Sequence, residues 1–157
     1  LQDFGNGFSV FTAQNYGAGK EERVKKGMRS ALIFTVSFAL IISLIIVIFA
    51  RPLMRIFINP AEKEIIRIGV EYLRIEGAFY IGIGCLFLFY GYFRAVRRPG
   101  VSLILTVISL GTRVVLAYIL APRFGVTAIW WAIPIGWLLA DTAGFLFLKK
   151  RKVTEKD

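Results

Sequence analysis

The sequence predicts an all-α integral membrane protein, a polytopic helix bundle of four full transmembrane helices preceded by the end of a fifth. Hydrophobic residues make up 57% of the 157 positions, and the mean hydropathy is +0.66. Soluble domains contain about 45–50% apolar residues. The apolar residues occur in blocks of about 20, which as helices cross a hydrocarbon core of roughly 30 Å. Clusters of Lys and Arg separate the blocks, as in proteins that cross a membrane repeatedly.

Residues 1–16 have the pattern of a helix end. Three phenylalanines share one face, and the polar side chains of Gln2, Asn6 and Ser9 share another. Two interpretations are open: a soluble amphipathic helix, or a membrane helix whose polar face points to other helices or to water. The membrane blocks that follow favour the second. Gly17 and Gly19 are expected to end this helix.

The first full span is predicted at residues 30–50, which carry no charge. Arg51-Pro52 is expected to end it, because proline disfavours helix at the preceding residue. Residues 62–76 are predicted to form an amphipathic helix at the membrane interface. The second span, residues 77–93, has a glycine at every seventh position, which indicates close helix packing more than a substrate role.

The third span carries an arginine deep within its apolar sequence. Ser102, Thr106, Ser109 and Arg113 form one polar stripe, and a charge within a span is expected to face the bundle or an aqueous cavity. Ser109 and Arg113 are therefore candidate cavity residues. Glu76 lies at a similar predicted depth, so a structural ion pair between Glu76 and Arg113 is the other interpretation.

The fourth span has a small residue at every fourth position, the pattern of a tight helix contact. The stripe consists of Ala128, Ala132, Gly136, Ala140 and Gly144. Asp141 borders this stripe, about 12 Å from the membrane surface. A carboxylate at that depth is a candidate for proton or sodium coupling. A carboxylate bonded to a neighbouring Ser, Thr or Arg is an equally open interpretation.

The distribution of charge predicts the orientation in the membrane. Lys and Arg concentrate at residues 20–29, at 94–98 and in the tail at 149–156, which fall on one side if the spans alternate. On the other side glutamates largely offset the cations. The positive-inside rule then predicts a protein of the cell membrane (plasma or inner membrane) whose C-terminus lies in the cytoplasm. The net charge of +10 is thus an orientation signal, and no nucleic-acid partner is predicted.

The chain offers little for catalysis or metal binding. It has no histidine and one cysteine, Cys85, so the commonest metal ligand and general base is absent. A membrane-embedded enzyme would need a catalytic pair at one depth, whereas Arg113 and Asp141 are expected near opposite faces. No enzyme activity, metal or cofactor is predicted.

Five motifs resemble one family of membrane proteins. They are AQNYGAGK at 13–20, RVKKG at 23–27, GYFRAVRRPG at 91–100, TRVVLAYIL at 112–120 and FGVTAIWWAIPIGW at 124–137. In this order they resemble the C-terminal half of a MATE (multidrug and toxic compound extrusion) transporter. The resemblance implies that residues 1–157 belong to the C-terminal lobe of a twelve-helix fold. They would supply the end of helix eight and helices nine to twelve, with the N-terminal lobe outside this sequence.

The resemblance also implies roles for individual residues. The family motif falls on Gln14, Asn15, Gly17, Ala18, Gly19 and Arg94, where it implies a tight turn into a basic loop. Gln2 and Asn6 lie where helix eight would face the central cavity. Some members carry an acidic residue midway along helix ten, but IGIGCLFLFY at 81–90 has none. The coupling ion, proton or sodium, is therefore left open.

The function implied is secondary antiport, in which drugs or toxic, often cationic, organic compounds leave the cell in exchange for protons or sodium. The expected partners are a small-molecule substrate, the lipid bilayer and the N-terminal lobe. The alternative is a flippase for lipid-linked oligosaccharides from the same superfamily. A flippase would need several basic residues in its cavity to hold a pyrophosphate, and Arg113 is the one candidate. A scaffold without transport activity would leave the polar stripe at 102–113 unexplained.

Overall fold

The computed structural model describes the backbone of residues 1–154 and the side chains as far as Lys149. The predicted basic tail at Lys150, Arg151, Lys152 and Lys156 has side chains outside the described residues. Six helices and no strand occur in the described part, which confirms the all-α class. The helices are α1 (Gln2–Gly17), α2 (Glu21–Phe57), α3 (Lys63–Ala78), α4 (Tyr80–Ala95), α5 (Pro99–Phe124) and α6 (Val126–Thr154).

Three helices are long and apolar enough to cross a membrane by themselves: α2, α5 and residues Val126–Lys149 of α6. The pair α3 and α4 passes the same test when taken together, with a bend of 50° between them. The break falls at Phe79, whose backbone amide donates a hydrogen bond to the Glu76 carbonyl. By length and composition the described residues thus contain three spans, or four if the bent pair counts as one broken span. That fourth span would be α3 together with α4, and not residues 77–93 alone after an interfacial helix as predicted.

Helix α2 continues past the proline that was expected to end it. The prediction of an end at Arg51-Pro52 is wrong, since α2 includes Pro52 and extends to Phe57. Proline removes one backbone hydrogen bond from a helix, but membrane helices tolerate it where neighbouring elements support the freed backbone. Here Met54 packs against the bare backbone of Gly69 in α3. The last turns of α2 thus pack directly against α3.

Helix α4 forms the centre of the bundle and contacts all five other helices. Its most buried side chains are Leu86, Leu88, Phe89 and Phe93, each at most 2% exposed. It is apolar on every side, as expected of a helix buried all round. At its crossing with α1, a Cβ added to Gly91 would lie 2.5 Å from the Gly5 carbonyl oxygen. The two backbones therefore pack directly against each other.

The small-residue stripe of α6 meets two helices, which confirms the packing role predicted for it. Ala132 and Ala140 are almost fully buried. A Cβ on Gly136 would lie 2.6 Å from the Ser109 carbonyl oxygen of α5, and one on Gly144 would lie 2.7 Å from the Phe89 ring of α4. Small residues at these crossings let the helices approach where lipid provides no hydrophobic drive.

The outward faces of α2 and α5 are apolar and exposed, which suits contact with lipid chains. In a soluble protein an apolar surface of this extent would be unusual. Side chains more than half exposed on these two helices include Ile33, Leu40, Ile41, Leu44, Leu103, Val107, Leu110 and Val114.

Candidate functional site

Two open clefts lie on either side of the first turn of α1. The Glu76 cleft, of about 460 Å³, lies between α1, α2 and the α3–α4 break, and Trp137 of α6 closes its floor. It is lined by Leu1, Gln2, Phe38, Ile42, Ile46, Tyr72, Leu73, Glu76, Gly77, Tyr80, Ile83, Phe87 and Trp137. The cleft thus presents one carboxylate, that of Glu76, among aromatic rings.

The Asn6 cleft, of about 480 Å³, lies between α1, α4 and α5. It is lined by Gln2, Asn6, Phe87, Tyr90, Arg94, Ser102, Leu103 and Thr106. Gln2 and Phe87 line both clefts, so the start of α1 separates them. The polar face predicted for residues 1–16 is exposed at Gln2 and Asn6, and each of these residues reaches a cleft.

Arg94 joins α4 to α1 at the mouth of the Asn6 cleft. Its Nη2 donates to Asn6 Oδ1 over 3.2 Å, and its Nε donates to the Tyr90 carbonyl over 3.1 Å. The sequence places Arg94 in a family motif and Asn6 in the cavity, but it gives no indication of their contact. The two positions are 88 residues apart, and no local pattern connects them.

The polar stripe of α5 faces α4 through its first half. Ser102 Oγ donates to the Tyr90 carbonyl over 3.4 Å, and Thr106 Oγ1 donates to the Ser102 carbonyl over 3.0 Å. Ser109 is 2% exposed at the α5–α6 crossing and lies away from both clefts. Ser9 is half-buried near Gly91, in the α1–α4 contact. Of the five predicted cavity residues, Gln2 and Asn6 line the clefts.

Arg113 packs on an aromatic ring and lines neither cleft. Its guanidinium carbon lies 5.3 Å from the centroid of the Trp137 ring, within the range of a cation–π attraction. Its Nε is buried without a hydrogen-bond partner. Trp137 is one helical turn from Asp141, so Arg113 and Asp141 lie closer in depth than the sequence indicated.

The predicted ion pair between Glu76 and Arg113 is not closed in this structure. No nitrogen–oxygen distance of 4.0 Å or less joins them among the described residues, although their charges interact at longer range. Glu76 Oε1, like Arg113 Nε, is buried without a hydrogen-bond partner. Leaving such groups unpaired costs roughly 1–3 kcal/mol or more each, so each of them calls for a structural or functional explanation.

Asp141 lies between α6 and α4 and is 8% exposed. Its Oδ1 has no hydrogen-bond partner, and its Oδ2 lies 3.7 Å from the position of a Cβ on Gly82. Cys85 lies close enough to Asp141 for the carboxylate charge to act on its thiol. The bond from Oδ1 to a Ser, Thr or Arg that formed the alternative interpretation is not present. The absence of a side chain at Gly82 leaves space on the α4 side of this carboxyl group.

The residues of the family motif build a tight turn between α1 and α2. Asn15 Nδ2 donates to the Phe11 carbonyl over 2.8 Å, and the Ala18 amide donates to the Gln14 carbonyl over 3.1 Å. Gly19 has φ of 68°, a left-handed conformation that glycine adopts without steric cost. The turn brings the cations of residues 20–26 beside the end of α1.

The described part of the chain contains no group of three or more His, Cys, Asp or Glu side chains arranged to hold a metal ion. The buried ionisable groups without a hydrogen-bond partner in this part are instead single side chains on three helices: Glu76 of α3, Arg113 of α5 and Asp141 of α6.

Comparison with known proteins identifies the family. The model of the MatE family matches residues 1–119, which include α1 to α4 and most of α5. The chain belongs to the MatE family. It is also 26% identical to the probable multidrug resistance protein YoeA of Bacillus subtilis (strain 168), over 94% of this chain and 33% of that protein. The chain thus spans about a third of the length of this curated relative. No solved structure matches the chain.

Family membership confirms the resemblance inferred from the five motifs. It also agrees with the multi-pass helical architecture, since MatE proteins are polytopic membrane helix bundles. The chain is therefore a multi-pass helical membrane protein of the MatE family.

Proposed function

We propose that this chain forms part of the C-terminal lobe of a secondary antiporter. The antiporter exports drugs or toxic organic compounds, often cations, in exchange for protons or sodium. Asp141 carries the proposal, because it is buried between two helices and one of its oxygens has no partner. A carboxyl group in that setting gains a proton or a small cation at little structural cost, and coupling by ion exchange requires such a group.

The broken span supports a transport role for the Glu76 cleft. Transporters commonly place their sites where a membrane helix is interrupted, since irregular backbone is tolerated there against a cavity. The break at Phe79 lies between Glu76 and Tyr80, and both residues line the cleft.

The chemistry of the Glu76 cleft suits an organic cation. Aromatic faces attract cations, and the attraction strengthens where water is excluded. Tyr72, Tyr80 and Trp137 supply rings around the Glu76 carboxylate. The substrate would lie between this lobe and the proposed N-terminal lobe, and rocking of one lobe against the other would expose it to either side.

The remaining features follow from the same proposal. The protein would lie in the plasma or inner membrane, with its basic loops and C-terminus in the cytoplasm. It would carry a small-molecule substrate and act on it without chemical change, so no catalytic residue or cofactor is assigned.

Flippase activity toward lipid-linked oligosaccharides is a second candidate, and one observation favours it. Arg94 provides a cation at the Asn6 cleft, where it bonds to Asn6. A pyrophosphate with two or more charges would need further cations, and among the described residues Arg94 is the one Lys or Arg that lines either cleft. Antiport of organic cations is therefore the better-supported function.

The test uses the complete transporter in proteoliposomes. We would follow efflux of a fluorescent organic cation under an imposed proton or sodium gradient, for the wild type, for Asp141→Asn and for Glu64→Gln. Glu64 is the control because it is exposed and paired with Arg67 over 2.7 Å, away from the clefts. Gradient-driven efflux should fall at least tenfold in Asp141→Asn and stay unchanged in Glu64→Gln.

Efflux that persists in a folded Asp141→Asn protein would show that Asp141 is a packing residue. Coupling of efflux to the ion gradient would then lie outside this lobe. An absence of gradient-driven efflux in the wild type, for a series of cations, would contradict antiport. In that case flipping of a fluorescent lipid-linked oligosaccharide would be measured next.

A further inference from the structure

A groove of about 700 Å³ lies beside the α1–α2 turn, apart from both clefts. Three cations line this basic groove, and no carboxylate does. Its lining residues are Phe11, Gln14, Asn15, Ala18, Lys20, Arg23, Lys26, Gly27 and Ser30. The side chains that face it can therefore donate several hydrogen bonds and supply a local charge of +3.

Two glutamates, Glu21 and Glu22, lie between Lys20 and Arg23 in the chain, and neither lines the groove. Within the part of the chain that the structure describes, Lys20, Arg23 and Lys26 form no ion pair of 4.0 Å or less. The nearby Glu22 pairs instead with Lys25 over 2.9 Å and does not line the groove. Unneutralised charges of one sign, gathered in a concave site, concentrate oppositely charged ligands.

The groove lies at the level where the membrane is expected to begin. Ser30, one of its lining residues, starts the uncharged run that continues to Ala50. The exposed apolar face of α2 begins directly beyond it, at Ile33 and Phe34, which are 60% and 52% exposed. A ligand with an anionic head and apolar tails would meet both surfaces at once, whereas a free anion would meet the groove alone.

We propose that the basic groove binds the phosphate headgroup of an anionic phospholipid of the cytoplasmic leaflet, with its acyl chains along α2. Basic pockets between membrane helices on the cytoplasmic side are suited to such headgroups. The leaflet assignment rests on the orientation given in the proposed function. The binding itself follows from the groove and does not require that the protein transport anything.

A second groove, at the opposite end of α2, provides an internal comparison. The Arg51 groove, of about 440 Å³, is lined by Arg51, Lys63, Ile66, Arg67, Val70, Glu71, Arg74 and Ile75. Glu71 lies among its cations, and Glu64 forms an ion pair with Arg67 over 2.7 Å. Its positive charge is thus partly offset, and it should hold a phosphate more weakly than the basic groove.

The experiment measures retention of phosphatidylglycerol by the complete transporter, purified in detergent, using native mass spectrometry. The test variant replaces Lys20, Arg23 and Lys26 with Gln, and the control variant replaces Arg51, Lys63 and Arg74 with Gln. Each removed cation should weaken binding about fivefold, so the test variant should bind the lipid about a hundredfold more weakly. The control should change no more than about fivefold. Equal retention by both variants and the wild type would overturn the proposal.

Two further arms distinguish the source of the phosphate. Phosphatidylcholine, which carries no net charge, should be retained at least tenfold less than phosphatidylglycerol, and equal retention would contradict an anionic site. Inorganic phosphate should not displace the lipid at equal concentration, and if it does, the groove binds soluble phosphate instead. If the triple variant does not fold, Lys26→Gln and Lys26→Arg replace it: the first should weaken retention about fivefold and the second should preserve it. Equal retention by these two variants would also overturn the proposal.

Discussion

The Glu76 cleft and the Asn6 cleft are nearly equal in volume, about 460 and 480 Å³, and share Gln2 and Phe87. They differ in the sign of the charged side chain that lines each cleft, and in whether that side chain forms hydrogen bonds. Glu76 leaves a buried oxygen without a partner, whereas Arg94 is bonded to Asn6 and to the Tyr90 carbonyl. The bonds of Arg94 stabilise the helix contact, whereas Glu76 keeps a buried acceptor that no described residue satisfies. The comparison therefore favours the Glu76 cleft for the proposed binding of an organic cation.

The largest effect on stability is expected at the α1–α4 crossing, because residues of α1 and α4 line both clefts. A Cβ on Gly91 would lie 2.5 Å from the Gly5 carbonyl oxygen, which is backbone and cannot move aside alone. Gly91→Ala should destabilise the protein by about 1–3 kcal/mol through overpacking. Thermal unfolding in detergent measures this as a lower Tm.

Gly111→Ala is the matched control, because Gly111 lies in α5 with no atom near its Cβ position. Alanine is the better helix former by about 1 kcal/mol, so the Tm of this variant should stay constant or rise. A Gly91→Ala protein as stable as Gly111→Ala would show that α1 and α4 are not in direct contact, and would remove the wall between the clefts.

A smaller effect, confined to one cleft, is expected at Trp137. Its ring lines the Glu76 cleft and carries Arg113 at 5.3 Å. Trp137→Leu should weaken binding of an organic cation about fivefold, because it removes a cation–π surface worth about 1 kcal/mol. It also frees Arg113 to approach Glu76 and compete with the substrate. Equilibrium binding of a fluorescent cation measures the change.

Phe145→Leu is the control for this substitution, since Phe145 lies on the same helix, is 48% exposed and packs against Phe89, and neither residue lines the Glu76 cleft. Its binding constant should stay within about twofold of the wild type. Equal weakening in the two variants would show that loss of an aromatic ring from α6 acts on the whole fold and not on the Glu76 cleft.

Features encoded by a repeating pattern could be predicted from the sequence. The small-residue stripe of α6 recurs every fourth position, so its contact face follows from helix geometry alone. Apolar blocks of span length predicted the spans for the same reason. The end of α2 could not be predicted, because the local preference of Arg51-Pro52 does not reveal the contact of the last turns of α2 with α3 at Gly69. That contact depends on the tertiary fold.

The candidate site was harder to predict than the fold. Asp141 and Arg113 were identifiable because charges are costly within an apolar span. The bond between Asn6 and Arg94 and the stacking of Arg113 on Trp137 join residues on different helices. Sequence spacing within one helix carries no information on such contacts. Ser109 has the spacing of a cavity residue, yet the crossing with Gly136 buries it.

The central claim, that an organic cation binds in the Glu76 cleft, is tested most directly by the binding constant of a fluorescent organic cation. It would be measured for the complete transporter, for Glu76→Gln and for Arg94→Gln. Loss of a nearby opposite charge in a partly buried site costs on the order of 1–2 kcal/mol. We therefore expect Glu76→Gln to weaken binding about tenfold and Arg94→Gln to leave it unchanged or slightly tighter. Weakened binding in Arg94→Gln, with Glu76→Gln unaffected, would contradict the account and place the substrate in the Asn6 cleft.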